Sequence, residues 1–202
     1  LRNLPPFRRF LKSAALSNAQ IINYSSFASD VGVSVPTIIE YFNILEDTLL
    51  GFRLEPWKLS KKRKSIESVR FYFFDLGVCR TLANIETLDR NSDLYGRAFE
   101  HFIALEIKAY LSYSKKRKEF NFFRTKDKVE VDFIVGDQIA IEVKSSTQIK
   151  KSFFEPLLKL QSEKRIQSKI LISQQEESLV QDGILCLSYQ DFLKKLWAGE
   201  II

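Results

Sequence analysis

The sequence predicts an α/β protein, helical at first and mixed afterwards, on three observations. Apolar residues recur at helical spacing through most of the first fifty positions. The stretch KVEVDFIVGDQIAIEVKSS, residues 128 to 146, alternates with period two on either side of a turn at Gly136-Asp137. Between them, LYGRAFEHFIALEIKAYLSYS carries Ala98, Phe102, Leu105 and Ala109 on one stripe, the pattern of a long helix. At 202 residues, with 45% hydrophobic and 13% aromatic content, the chain has ample material for real cores.

The elements follow in order. LPPFRRFLKSAALSNA opens with Pro5-Pro6 and places Phe7, Phe10, Leu11, Ala14 and Ala15 at helical spacing. Ser25 or Ser26 is expected to cap a short helix through Val31, with Gly32 in the turn that follows. Ser34 caps the next helix, which has Pro36 in its first turn and Ile38, Phe42, Leu45 and Leu49 along one side. Helix, short glycine-bearing turn, helix is the helix-turn-helix pattern. GFRLEPWKL and SVRFYFFDL are expected to pair as strands on either side of the basic tip SKKRK, which makes a wing. The polar segment NIETLDRNSD, residues 84 to 93, sets a boundary between a winged helix-turn-helix domain at 1–88 and a second domain at 89–202. In the second domain NFFRTK opens a strand before the hairpin, SFFEPLLKLQSEK is a helix, KILISQQ and ILCLSY are strands, and YQDFLKKLWAG is a terminal helix. A central mixed sheet between helices is the expected architecture.

A net charge of +6 and a pI near 9.2 favour a polyanionic partner. The excess is spread out, with 13 basic and 9 acidic residues through position 90 and 18 and 16 beyond it. Cys79 and Cys186 match no metal-finger spacing and suit a reduced, cytoplasmic protein. No apolar run is long enough to span a bilayer, so no membrane partner is expected. The chain begins at Leu1 and contains no Met, which predicts a piece of a longer protein.

In the hairpin, alternation sets Val129, Val131, Phe133 and Val135 on one face and Glu130 and Asp132 on the other. On its second strand Ile139, Ile141 and Val143 oppose Glu142 and Lys144. Each strand is thus expected to bury an apolar row and to present its charges from the opposite face. Phosphodiester hydrolysis needs shielded phosphate charge, a positioned water and a stabilised leaving oxyanion. Mg²⁺ supplies this when one or two carboxylates hold it and leave positions open to water and phosphate. Asp132 and Glu142, with the carbonyl of Val143, suit that role, and Glu100 on the preceding helix is a further ligand. Lys144, roughly 6.6 Å along the strand from Glu142, is placed to orient water or offset developing charge. The same four residues also fit a solvated charge cluster, because exposed Glu and Lys pairs are common and contribute little.

The order helix Glu100, strand EVDF at 130–133 and strand EVK at 142–144 resembles the PD-(D/E)XK nuclease superfamily, with its restriction-endonuclease-like fold. LRNLPPFRRFL, SSFASDVGVSVPTIIEYFNILEDTLL, FYFFDLGVCRTL and YGRAFEHFIALEI resemble, in that order, the C-terminal half of a large group of prokaryotic AAA-type ATPases. The resemblance covers nearly residues 1 to 175. It implies an ATPase core before Leu1, and places Glu100, Asp132, Glu142 and Lys144 at the nuclease site with Mg²⁺ or Mn²⁺ as cofactor. No Gly-x4-Gly-Lys-Ser/Thr occurs in this chain, so ATP belongs to that preceding part.

DNA is the expected partner, beside the ATPase domain and, in an assembly, further copies of the chain. Helix 35–47 contains Glu40, Glu46 and Asp47 and no Lys or Arg, which is unusual for a helix entering the major groove. Thr37, Tyr41 and Asn43 remain as contacts on it. Lys58, Lys61, Lys62, Arg63 and Lys64 in the wing, and Arg124 and Lys126 before the hairpin, are the candidate phosphate contacts. Two functions follow: a Mg²⁺-dependent DNA endonuclease module of a larger ATPase, or a catalytically silent module that binds nucleic acid or protein and regulates that ATPase.

Overall fold

Residues 4–58, 69–125, 127, 129–160 and 163–202 are described by the computed structural model. They fall into two units, Leu1–Leu54 with Ser68–Arg97 and Glu55–Glu67 with Ala98–Ile202.

In the first unit, local chemistry sets each helix end. Helix α1, Leu4–Leu16, holds both prolines in its first turn, where a missing N–H costs no hydrogen bond, and buries Pro6, Phe10, Ala14 and Ala15. Helix α2, Tyr24–Val31, begins after Asn23, whose side chain accepts the Ser26 N–H at 3.1 Å. The expected serine cap is therefore corrected: the Asn23 carboxamide reaches the third helical N–H, and both serines lie inside the first turn. Gly32 ends the helix in the left-handed region at φ 73°. Helix α3, Val35–Asp47, is capped by Ser34, as its sequence predicts. Strand β1, Gly51–Pro56, pairs antiparallel through Gly51–Leu54 with β2, Arg70–Phe73, and α4, Leu76–Ala83, follows under the Asp75 cap. The core of the unit gathers on Phe42. Its ring meets those of Phe10 at 4.9 Å, Phe71 at 5.1 Å and Phe27 at 5.3 Å, mostly edge to face.

The second unit is a mixed sheet with helices. Helix α5, Asp93–Tyr113, leads from the first unit into it. Its strands are β3 (Phe120–Arg124), β4 (Glu130–Val135), β5 (Ile139–Val143), β6 (Ser168–Ser173), β7 (Leu179–Gln181) and β8 (Ile184–Ser188). Strands β3, β4 and β5 form an antiparallel meander. Strands β5, β6 and β8 run parallel, β7 pairs antiparallel with β8, and Glu55 and Pro56 of β1 pair parallel with β3. Helix α6, Glu155–Lys159, packs on β4 and β5, while α7, Tyr189–Trp197, packs on β6 and β8. The helix expected over 152–164 is shorter: a 3-10 turn at Lys151–Phe153 precedes α6, which is five residues long. Strand β7 is not predicted by the sequence, because three residues are too few to show alternation.

One expectation about the hairpin is corrected in a way that shapes the site. Phe120 pairs with Val135 and Asn121 with Ile134, yet Phe123 pairs with Val131, so β4 carries an extra residue against β3. Such a bulge breaks strict alternation. Val131 consequently packs in the same apolar cluster as Ile134, Ala140, Phe154 and Leu157, whereas simple alternation separates it from Ile134. Both faces of β5 are buried, and Asp132 and Glu142 are only 8% and 3% exposed. These two carboxylates are not presented to solvent but set into the interior, while Glu130 and Lys144 stay partly exposed.

Candidate active site

Asp132 sits beside the bulge on β4, and Glu142 is the penultimate residue of β5. The pairs Phe133 with Ile141 and Ile134 with Ala140, extended by one residue, set Asp132 across from Glu142 on the same face. Asp132 Oδ2 accepts the Val143 N–H at 2.9 Å, so the carboxylate is fixed by the backbone of the neighbouring strand. Lys144, just beyond the end of β5, donates from Nζ to Glu142 Oε1 at 2.6 Å, and its backbone N–H bonds Ile172 O at 2.9 Å. The same ammonium stands 5.9 Å from the centre of the Phe153 ring, a cation–π distance.

Two buried carboxylates beside one ammonium produce opposing fields. Burial, more than any other cause, pushes the Glu142 carboxyl up to about 8; the Asp132 and Glu100 charges act in the same direction, and Lys144 opposes them. For Lys144, burial acts downward, but the charges of Asp132, Glu142 and Glu100 outweigh it and raise its pKa. Glu100, on α5, is thus brought into the electrostatic field of the other three residues. Glu142 Oε2 is buried and makes no hydrogen bond. A buried carboxylate oxygen left without a donor is costly, and it is the kind of atom that a hard cation satisfies.

Among the described residues no group of three or more His, Cys, Asp or Glu side chains stands together as a ready-made metal cage. The donor set fits a divalent ion held by one or two carboxylates, with the remaining positions left to water and phosphate, the habit of Mg²⁺. Asp132 and Glu142 would hold it. The Lys144 backbone N–H, bonded to Ile172 O, fixes the Val143–Lys144 peptide, whose Val143 carbonyl is the further ligand expected from the sequence.

The candidate phosphate contacts divide. Lys58 is exposed, and its carbonyl accepts from Arg165 at 3.1 Å. Arg124 pairs with Glu130 at 3.4 Å. Lys61, Lys62, Arg63, Lys64 and Lys126 lie outside the described residues. On α3, Tyr41 is corrected from a surface contact to a core residue, 6% exposed, with its ring against Phe7 and Phe10. Asn43 accepts from Arg53 at 2.9 Å, and Arg53 also pairs with Glu46 at 2.5 Å. Sequence reasoning missed Phe153 as a neighbour of Lys144. Its one signal is its place in SFFEP, which reads equally well as ordinary core.

Fold and site together define a mixed α/β protein with a buried acid–lysine cluster at the end of its central hairpin. Two family models match the chain: the domain of unknown function DUF8612 over residues 1–89, and the domain of unknown function DUF4143 over residues 95–192. An uncharacterized protein of Mycobacterium bovis is 26% identical over 162 residues, which cover 76% of this chain and 36% of that protein. An uncharacterized protein of Mycobacterium tuberculosis matches with the same identity and coverage. The chain therefore spans about a third of the length of the curated relatives it matches. No solved structure matches it significantly. No helix among the described residues is long and apolar enough to cross a membrane.

Proposed function

We propose that the second unit is a Mg²⁺-dependent DNA endonuclease module of the PD-(D/E)XK type, in which Mn²⁺ also serves, and that the first unit is a winged helix-turn-helix. The resemblance of four segments of the chain to the C-terminal half of prokaryotic AAA-type ATPases supports a place at the C-terminus of such an enzyme. The observation that carries the reading is Glu142: a deeply buried carboxylate with one oxygen on Lys144, the other without a donor, and Asp132 across the strand.

When bound, the divalent ion supplies charge neutralisation of the phosphate and activation of the attacking water. The chain's own residues set the geometry. Asp132 is locked by the Val143 N–H, Glu142 is oriented by Lys144, and Glu100 adds negative charge to the same field. The Lys144 ammonium lies partly exposed, with its side chain 33% accessible, and offsets charge developing on the attacked phosphate.

The test is Mg²⁺-dependent cleavage of plasmid and branched DNA beside Asp132→Asn. The substitution is isosteric, and its amide oxygen still accepts the Val143 N–H, so the fold is kept. Cleavage is abolished because a neutral amide cannot supply the charge that holds a hard cation. Cleavage that survives this substitution overturns the assignment.

A second reading has its own support. The absence of a three-carboxylate cage among the described residues, and the engagement of Tyr41 and Asn43 within the first unit, favour a catalytically silent module that regulates an ATPase through protein contacts. In that case neither Mg²⁺ nor Mn²⁺ brings about cleavage by the parent.

A further inference from the structure

The segment that follows the acid–lysine cluster, residues 145 to 153, is bound to the scaffold more closely than an ordinary exposed loop. Ser146 O accepts the Gln174 N–H at 2.9 Å, which ties the segment to the residue after β6. Ser146 Oγ donates to Gln148 O at 2.8 Å and accepts the Gln148 N–H at 3.2 Å, closing a tight turn. Ile149 packs against the apolar cluster of the unit. The 3-10 turn then begins, with the Phe153 N–H on Lys150 O at 2.9 Å and the Phe154 N–H on Lys151 O at 3.1 Å. Phe154 is fully buried and anchors the end.

On this fixed backbone Lys150 and Lys151 are exposed, and neither forms an ion pair among the described residues. Lys194 and Lys195 on α7, by contrast, pair with Asp191 and Glu200, which makes them a charge-matched comparison. The two lysines are placed by their hydrogen bonds within one turn of Phe153, whose ring faces the Lys144 ammonium. A pre-ordered backbone lowers the entropy lost when such side chains take up a ligand. Two adjacent exposed ammonium groups a few residues from the acid–lysine cluster can each neutralise a phosphate of a nucleic-acid strand.

We propose that Lys150 and Lys151 form a phosphate-holding platform, which seats the DNA backbone beside Lys144. The inference deepens the nuclease reading and rests on it for the location of the reacting phosphate, but it is tested by binding alone. Each phosphate neutralised on duplex DNA contributes about 0.9 to the slope of log affinity against log salt.

The experiment measures binding of a 20-bp duplex by fluorescence anisotropy without divalent metal, across a salt series, for the full chain. The variants are Lys150→Ala with Lys151→Ala and a charge-matched control on α7, Lys194→Ala with Lys195→Ala. The platform variant is expected to bind more weakly and to flatten the slope by about 1.8, from two phosphates at 0.9 each. The control leaves the slope nearly unchanged. Thermal melting shows that both variants remain folded, as exposed positions predict. An unchanged slope, an equal change in the control, or no binding by the parent overturns the proposal. A flattened slope in a protein that never cleaves keeps the platform and removes the nuclease. Cleavage with an unchanged slope does the reverse.

Discussion

Glu142 is held in the interior by a lysine on one side and opposed by carboxylates on the other, and its protonation follows from that. Its ordinary pKa of 4.5 is raised in the folded protein to about 8, chiefly by burial and then by Asp132. The folded state therefore binds the proton more tightly than the unfolded chain. The resulting stability is fully present below about pH 4.5 and is lost as pH rises toward about 8. Melting temperature compared for the parent and Glu142→Gln, without metal, is expected to move in favour of the variant from pH 5 to pH 8.5. A constant difference would mean that the carboxyl is ionised throughout. Lys144→Ala tests the partner group. It removes the ammonium but leaves Asp132 and Glu142, so metal binding by calorimetry is nearly retained. The cleavage rate falls by roughly 10²- to 10³-fold, the scale seen when one charge-stabilising group is removed. Cys79 is inert by comparison: burial pushes its thiol up to about 11, and its sulfur bonds Ala15 O.

Among the elements, β1 has the tightest steric requirement. A Cβ at Gly51 would lie 2.2 Å from the Phe71 ring and 2.6 Å from Tyr72 O, and a carbonyl in a strand ladder cannot move aside cheaply. Gly51→Ala is expected to cost about 1 to 3 kcal/mol in urea unfolding of the first unit, the usual scale of overpacking. A neutral result would require β1 and β2 to separate without loss. Sequence showed that these two strands pair, but not that Gly51 must lack a side chain, because that depends on a partner twenty residues away. The same distinction runs through the fold. Ser34, Pro36 and Gly32 act within a turn of their own position, and their roles were legible. Asn23 also acts locally, yet two adjacent serines offered an equally good cap. The bulge in β4 depends on register with β3, which no local pattern in EVDFIV records. For the site, charge type and order were legible in Asp132, Glu142 and Lys144. The deep burial of the two carboxylates, the donor-free Oε2 and the Phe153 ring depend on α6 and the 3-10 turn packing over the hairpin.

For the molecule as a whole, a basic chain contains a first unit whose central helix is acidic. The net charge of +6 gives long-range attraction to DNA, but α3 lacks a cation and uses Glu46 and Asn43 to hold Arg53. Sequence-specific readout by that helix is therefore disfavoured, since base-reading helices bring cations to offset phosphate repulsion. A dense basic run lies between β1 and β2, in the segment Glu55–Glu67 that belongs with the second unit. Replacing Lys61, Lys62, Arg63 and Lys64 with Ala is expected to weaken binding equally for unrelated duplex sequences. It should also flatten the salt slope by about 0.9 for each phosphate that is no longer neutralised. If affinity and slope stay as in the parent, the run is only a solvated tip, and the first unit is left as a docking surface for protein. The chain covers about a third of its curated relatives, so this measurement belongs on both the chain and a longer protein containing an ATPase core. Under the proposed placement, cleavage by the second unit is regulated by that core. ATP then changes the cleavage rate of the longer protein while leaving the slope of the isolated chain untouched. A rate indifferent to ATP in the longer protein would separate the nuclease from the ATPase and leave the two joined only by the chain.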